Sequence, residues 1–356
     1  MAIKENNNNK TLDEREDIRN VDLDNLKFYL KSIKQPAFRA KQIQEWLWQN
    51  NAFTFDEMTN LPKALREKMS EDFKLQYPTA LVKQESQDGS RKYLLEMEDG
   101  VSVETVGIPH DNKLTVCAST QAGCAMKCEF CATGKNGIKR SLSALEIYGQ
   151  VMFIQRDFEQ PVTNVVFMGQ GEPFNNYNEV MKALRLLNKE DGANIGARRL
   201  TVSTCGIIPG IHKFTKEPEQ FTLAISLHTA DQKTRNALMP GVKMWSLERL
   251  YEAMQEYTEK TGRRPTYEYA MIKDVNDTDE QLAALRDFCA GTLCHVNLIT
   301  LNQVKGSPFK PSNKETVDKF VKTLHKYGVE TTVRNSRGSD IDAACGQLKQ
   351  SFLDEE

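Results

Sequence analysis

From about residue 111 to residue 348 the sequence alternates strand-type and helix-type patterning, and a shorter run of purely helical periodicity precedes it. These two observations predict an α/β protein, a partial (β/α)6 barrel with a small N-terminal helical domain. A third agrees with them. The residues able to carry chemistry fall just after predicted strands, at the end where a (β/α) barrel keeps its active site. The chain has 356 residues, enough for one large domain and a smaller one, and 39% hydrophobic residues allow a sizeable core.

Residues 1–20 are polar and charged, with four consecutive Asn, and read as a disordered tail lacking the apolar stretch of a secretory signal. Helical periodicity covers 21–79. Leu26, Tyr29, Leu30 and Ile33 share one face of a first helix, which Pro36 closes. Ile43, Trp46 and Leu47 share a face of a second at 38–49, and a third follows Leu61-Pro62 at 63–73. Between residues 26 and 70 there are eight Lys or Arg against four Asp or Glu. Lys31, Lys34, Arg39, Lys41, Lys63, Arg66 and Lys68 could meet phosphates, although on charge alone a solvated helix surface is the simpler account.

From Ala80 the period becomes two. Strands are expected at 81–85, 92–97 and 101–106, with turns at Asp88-Gly89 and Asp99-Gly100, so 80–110 reads as a β-hairpin linker. Within 111–348, strands at 114–117, 164–168, 199–204, 222–227, 266–272, 295–301 and 330–334 are separated by helices at 143–158, 178–188, 246–260, 279–288 and 313–327. Ser143-Ala144-Leu145-Glu146 opens the first of these helices with a capping box. Residues 349–356 read as a C-terminal tail.

The net charge of −2 announces no nucleic-acid binder, and there is no apolar run long enough for a membrane span. No internal repeat is present. Eight cysteines, three of them in one short loop, suggest a reducing cytoplasmic compartment.

That loop is Gly123-Cys124-Ala125-Met126-Lys127-Cys128-Glu129-Phe130-Cys131. Three thiolates at this spacing can turn toward one point, yet a closed zinc or ferredoxin site takes four ligands. Three cysteines would leave one iron of a cubane open to a cosubstrate. A structural zinc loop, or core cysteines at a chance spacing, are the plainer alternatives. Gly169-Gln170-Gly171-Glu172-Pro173 follows a predicted strand, and its glycines allow a backbone to approach a ligand closely. Ser203, Ser226 and His228 end two further strands; singly, each is more readily a helix cap or a satisfied core residue. Cys345, read alone, is a buried small hydrophobe, and Cys117 ends a strand ahead of the loop. Cys205, Cys289 and Cys294 read as core cysteines.

The C-x-x-x-C-x-x-C loop, with Phe130 before its last cysteine, resembles the signature of the radical S-adenosylmethionine (SAM) enzymes, and Gly169–Pro173 resembles their SAM-binding "GGE" element. More closely, the chain resembles the 23S rRNA adenine-C2 methyltransferases, the dual-specificity RlmN family. The likeness runs from about Lys27 to Leu348. It includes Phe38-Arg39-Ala40-Lys41-Gln42, Phe55-Asp56-Glu57-Met58-Thr59, Cys117-Ala118-Ser119-Thr120-Gln121-Ala122-Gly123-Cys124 and Asp340-Ile341-Asp342-Ala343-Ala344-Cys345-Gly346-Gln347-Leu348. The resemblance implies a barrel of radical SAM type with a 4Fe–4S cluster on Cys124, Cys128 and Cys131 and SAM on the unique iron. It implies SAM contacts at Gly171, Glu172, Ser203, Ser226, Leu227, His228 and Asn302. It further implies two SAM molecules per turnover. One methylates Cys345, and the other is cleaved to a radical that activates the new methyl group. The activated carbon adds to the adenine, Cys117 resolves the covalent RNA adduct by forming a disulfide with Cys345, and Glu104 accepts a proton. On this likeness the helical domain becomes an RNA-binding element. The expected partners are 23S rRNA, tRNA beside the anticodon and a flavodoxin-type electron donor, for a monomeric protein with no membrane contact.

The family usually has Asn-Pro where this chain has Asn302-Gln303. A sister resistance family, which methylates C8 of the same adenosine, shares the three site motifs. Ala122 before Gly123 looks more like the C2 branch, since the sister family often has a cysteine there. The alternative from another class is a non-catalytic RNA-binding protein with a structural Fe–S or zinc site.

Overall fold

The computed structural model describes residues 13–348 apart from 303, 305, 335 and 336. Residues 1–12 of the expected tail, Gln303 and the expected C-terminal tail lie outside the described residues. Three helices come first: α1 (Leu23–Ser32), α2 (Arg39–Trp48) and α3 (Lys63–Asp72). Asp22 caps α1 by accepting from the Asp24 and Asn25 N–H groups. The apolar stripe read from the sequence, Leu26, Leu30, Ile43 and Leu47, is fully buried. Trp48 meets Tyr148 edge to face at 5.5 Å, and Arg156 pairs with Glu57 at 3.0 Å, so this domain packs directly on the barrel.

Two expectations for the N-terminal third are corrected. Residues 13–20 were expected in a disordered tail, yet Ile18 is buried and its N–H donates to Lys74 O at 3.0 Å. Beside it Arg19 and Asp17 form a shielded ion pair at 2.6 Å. A single well-placed apolar residue and one paired charge order a stretch whose average composition is polar. The segment 80–110 was expected to be a linker. It forms β1 (Thr79–Glu85), β2 (Arg91–Glu96) and β3 (Ser102–His110), an antiparallel extension of the main sheet. Period-two patterning identifies a strand but not its partner, and here β3 pairs with the first barrel strand, β4 (Lys113–Cys117).

A two-stranded clamp, β5 (Gln121–Gly123) and β6 (Ile138–Ser141), holds the base of the cysteine loop. Then follow α4 (Ala144–Phe158), β7 (Asn164–Phe167), α5 (Tyr177–Asn188), β8 (Leu200–Thr204), α6 (Ile208–Phe214), β9 (Thr222–Ser226), α7 (Gln232–Leu238) and α8 (Leu247–Thr261). The chain continues with β10 (Thr266–Met271), α9 (Asp279–Cys289), β11 (His295–Thr300), α10 (Lys314–Lys326) and β12 (Glu330–Arg334). The capping box at Ser143 and Glu146 is formed. The short helices α6 and α7 were not foreseen, since seven residues show too few turns for periodicity to register.

The sheet runs β1-β2-β3-β4-β7-β8-β9-β10-β11-β12, and every pairing from β4 to β12 is parallel. Six helix-bearing crossovers thus link seven parallel strands in an open (β/α)6 barrel with an added edge strand. The register places polar groups in one row. Val106 faces Cys117, Cys117 faces Val166, Ser226 faces Glu268, Glu268 faces Asn297, and Ile299 faces Arg334. Side chains alternate between faces along a strand, so Glu104, Cys117, Ser203, Ser226, Glu268 and Arg334 share one face of the sheet.

Candidate active site

The cysteine loop is anchored at both ends. The Cys124 N–H donates to Gly137 O at 2.8 Å, and the Cys131 N–H donates to Cys128 O at 3.1 Å. Its far side is tied to the end of the chain: the Ala132 N–H donates to Gly346 O (2.8 Å), and the Thr133 hydroxyl donates to Leu348 O (2.7 Å). These bonds bring Cys345 to the cluster loop although more than two hundred residues separate them.

A cavity of about 950 Å³ opens above the C-terminal strand ends. Cys124, Cys128 and Cys131 line it, with Gly171, Glu172, Ser203, Ser226, His228 and Asn302. The structure therefore brings together all three expected cluster ligands and six of the seven expected SAM-contacting positions. The seventh, Leu227, buries its side chain in the core, and its N–H donates to Ile225 O and Glu268 O.

Glu172 is buried, and burial pushes its carboxyl above the ordinary carboxylate range. Its oxygens accept from the Cys205 N–H (2.7 Å) and the Phe174 N–H (3.0 Å). Gly171 has φ +104°, and a Cβ there would lie 2.7 Å from the Gln121 side chain, so only glycine brings this turn so close. His228 sits edge to face with Phe130 at 4.7 Å. Its Nδ1 accepts from the Ala270 N–H (3.0 Å), and burial, helped by the Arg235 charge, lowers it to about 3, so the imidazole is neutral. Its backbone adopts φ +57°, held by Asn276, whose Nδ2 donates to His228 O (2.6 Å) and Ala270 O (2.7 Å).

A second cavity, of about 790 Å³, adjoins the first. Cys117, Thr115, Arg334, Arg337 and Cys345 line it. Cys345, Asn302, Met168 and Ile299 belong to both cavities, so they form the wall between them. Asn302 Nδ2 donates to Cys345 O at 3.2 Å and fixes that wall. Burial, and the neighbouring Cys345, push the Cys117 thiol up to about 12, against a downward pull from Arg334. Arg334 is itself shifted upward, chiefly by Cys345, with Glu268 and Cys117 adding to it. Glu104 lines neither cavity. It is fully buried and pairs with Lys92 at 3.3 Å, and Lys92 also donates to Asp342 O (3.2 Å) in the Cys345 segment.

Three residues of this region escaped the sequence reading. Glu268, whose Oε2 accepts from Asn297 Nδ2 at 2.8 Å, lines the first cavity; an acid amid the apolar strand residues Tyr267 to Met271 was its signal. Arg334 gave none beyond closing a strand. Cys205, read as a core cysteine, is only partly buried and lines the first cavity beside Cys128. Its position depends on a tertiary approach that spacing cannot reveal. Cys289 and Cys294 are buried, as expected of core cysteines.

The donor set fits an iron–sulfur cluster. Three thiols from one short loop line a roomy cavity with a conformationally fixed acid turn opposite, which leaves space for a cosubstrate on a cluster held by three ligands. Such a barrel and loop define a radical SAM enzyme, and comparison with known proteins agrees. Residues 118–289 match the radical SAM superfamily, and residues 16–75 match the ribosomal RNA large subunit methyltransferase N-terminal domain. A crystal structure of a radical SAM methyltransferase from Sphaerobacter thermophilus is 40% identical and superposes with a TM-score of 0.88, covering 94% of this chain and 99% of that one. A curated protein of Clostridium novyi named "Probable dual-specificity RNA methyltransferase RlmN" is 42% identical over 94% of this chain and 98% of its own length. A protein of the same name from Staphylococcus aureus (strain JH9) is 44% identical over 94% of this chain and 93% of its own. The chain belongs to the RlmN family of dual-specificity RNA methyltransferases. With the superfamily come its two cofactors, a 4Fe–4S cluster and SAM.

Proposed function

We propose that this chain methylates C2 of an adenosine in 23S rRNA, and of tRNA beside the anticodon, carrying the methyl group on Cys345. One observation carries the reading: Cys345 stands in the wall between the cysteine-loop cavity and the Cys117 cavity. A carrier that is loaded on one side and unloaded on the other needs that position.

A 4Fe–4S cluster held by Cys124, Cys128 and Cys131 would supply the electron for reductive cleavage of SAM, and with it radical chemistry able to activate an S-methyl group. The protein's own residues do the rest. Glu172 and Ser226 orient SAM in the first cavity. The Cys345 thiolate attacks the methyl carbon of a first SAM; the new S–C bond forms as the sulfonium S–CH3 bond breaks and S-adenosylhomocysteine leaves. The adenosine occupies the second cavity, where Arg334 and Arg337 face its phosphates. Glu104, on the same sheet face as Cys117 one strand away, is assigned the proton released from the base; since it lines neither cavity and pairs with Lys92, it would receive that proton indirectly rather than by touching the base. The Cys117 thiolate then attacks the Cys345 sulfur and frees the methylated RNA. A non-catalytic RNA-binding protein with a structural metal would have no use for Cys117 and Cys345 across a shared wall. We place the protein in the cytoplasm as a monomer with a flavodoxin-type donor; among the described residues no helix is long and apolar enough to cross a membrane.

The test is anaerobic turnover with reconstituted cluster, SAM, reductant and unmodified 23S rRNA and tRNA fragments, followed by nucleoside mass spectrometry. 2-Methyladenosine is the expected product, and 8-methyladenosine would move the chain to the sister activity. Cys117→Ala is expected to leave RNA covalently bound to the protein, visible as a shifted band that survives denaturation. Free RNA with normal product from that variant would refute the resolving role.

A further inference from the structure

Arg235 is among the largest fully buried side chains of the protein, only 1% exposed. It sits in α7, one helical turn before Leu238, and that helix is strapped to the cysteine loop. The Glu129 N–H donates to Leu238 O (3.0 Å), and the Gly241 N–H donates to Met126 O (3.0 Å). Arg235 Nη2 donates to Cys205 O at 2.6 Å. That carbonyl is turned toward it through Gly206, whose φ is +96° and where a Cβ would come within 3.2 Å of the same nitrogen.

A buried guanidinium is costly unless an anion faces it. The other deeply buried cations have theirs: Arg19 meets Asp17, and Lys92 meets Glu104. Among the described residues Arg235 makes no ion pair, and its Nε has no hydrogen-bond partner. The protein around it offers a backbone carbonyl and, close by, the side chains of Cys205 and Cys128, but no carboxylate among the described residues.

We infer that Arg235 is the built-in counter-charge of the iron–sulfur cluster, a positioning residue that stabilises the cluster's reduced state from behind Cys128 and Cys205. This rests on the cluster reading of the cysteine loop. Three thiolates bring negative charge into a buried site, and one-electron reduction adds another. A fixed cation nearby without a partner of its own favours that reduction, since net charge and hydrogen bonding around the sulfurs set such potentials. Cys205 is the link between them: its carbonyl holds the guanidinium while its side chain lies against Cys128.

The test uses the full chain, anaerobically reconstituted, as wild type, Arg235→Lys and Arg235→Gln. The readouts are the cluster's midpoint potential, followed by EPR, and thermal unfolding with and without cluster. Arg235→Gln is expected to hold about tenfold less reduced cluster at a given potential, a shift of about 59 mV downward for one electron. Arg235→Lys, which keeps the charge, should stay near wild type. Without cluster, Arg235→Gln should be at least as stable as wild type, and it should gain less from loading. An unchanged potential at full loading would overturn the inference. So would a cluster-free Arg235→Gln protein that is markedly less stable or unfolded, because the protein alone would then be what Arg235 serves. Wild type that binds no iron would instead sink the cluster reading itself.

Discussion

Cys117 is a buried thiol whose task, under the proposed function, is to attack as a thiolate. Burial and the Cys345 sulfur raise it to about 12, while the Arg334 charge works the other way. In the RNA adduct the Cys345 sulfur is alkylated and carries no charge, yet burial still favours the neutral Cys117 thiol. The reactive fraction therefore grows with pH throughout the neutral range. Release of RNA from the preformed adduct should quicken about tenfold per unit between about pH 7 and about pH 9. A rapid-quench time course of the adduct tests this, and a flat profile would mean that chemistry at Cys117 does not limit release. At this scale the sequence was most legible where chemistry is written in spacing. The cysteine loop, the Gly-Glu-Pro turn and the strand-tip Ser and His converge on one cavity. Cys205 and Arg235 were not legible, because their meaning depends on an approach between β8 and α7 that no local pattern encodes.

Among the elements, the β1–β2 hairpin has the least expected position. Read as part of a linker, it reaches the segment that carries Cys345. The Ser86 hydroxyl and the Gln87 N–H donate to the Asp340 carboxylate at 2.6 and 3.2 Å, and the Gly338 N–H donates to Asp88 at 3.0 Å. These bonds clasp a segment whose φ is positive at Gly338, Asp342 and Gly346 and which has little regular structure of its own. Asp340→Ala should slow methyl transfer to RNA several-fold while largely sparing SAM affinity, because Gly171, Glu172, Ser203 and Ser226 stand on strand ends that the clasp does not hold. Isothermal titration with SAM, set beside single-turnover rates, separates the two effects. Equal losses in both would argue against the clasp. The strands were correctly sited from period-two patterning; what the sequence withheld was their pairing, which depends on partners far along the chain.

Across the whole molecule, the basic residues of the helical domain divide into two groups. Lys63, Arg66 and Lys68 face Glu67, Asp56 and Asp72. Lys31, Lys34 and Lys41 are exposed and form no ion pair among the described residues. They accompany two exposed aromatics, Phe28 at 75% and Phe38 at 60%, and Arg39 lies over the Phe38 ring at 5.4 Å. Aromatic faces among free cations suit unpaired nucleotides. Replacing Lys31, Lys34 and Lys41 together by Gln should weaken RNA binding and flatten the salt dependence by about two units of log–log slope. The same change at Lys63 and Lys68 should do little, and binding measured over a salt series would show both. A residue count could not make that division, because which lysines are free depends on helix packing.

The partition between the two cavities has a consequence for inhibition. Its members, Cys345, Met168, Ile299 and Asn302, border both cavities, and Asn302 holds Cys345 there through the Cys345 carbonyl. Under the proposed function, compounds that occupy one side would compete with SAM alone or with RNA alone. A ligand that crossed the partition, with a sulfonium-like head on one side and a nucleoside-like head on the other, would tether two weak binders at high effective concentration. It would also hold Cys345, the proposed methyl carrier, away from both of its proposed partners at once, which makes the divider rather than either chamber the point to target.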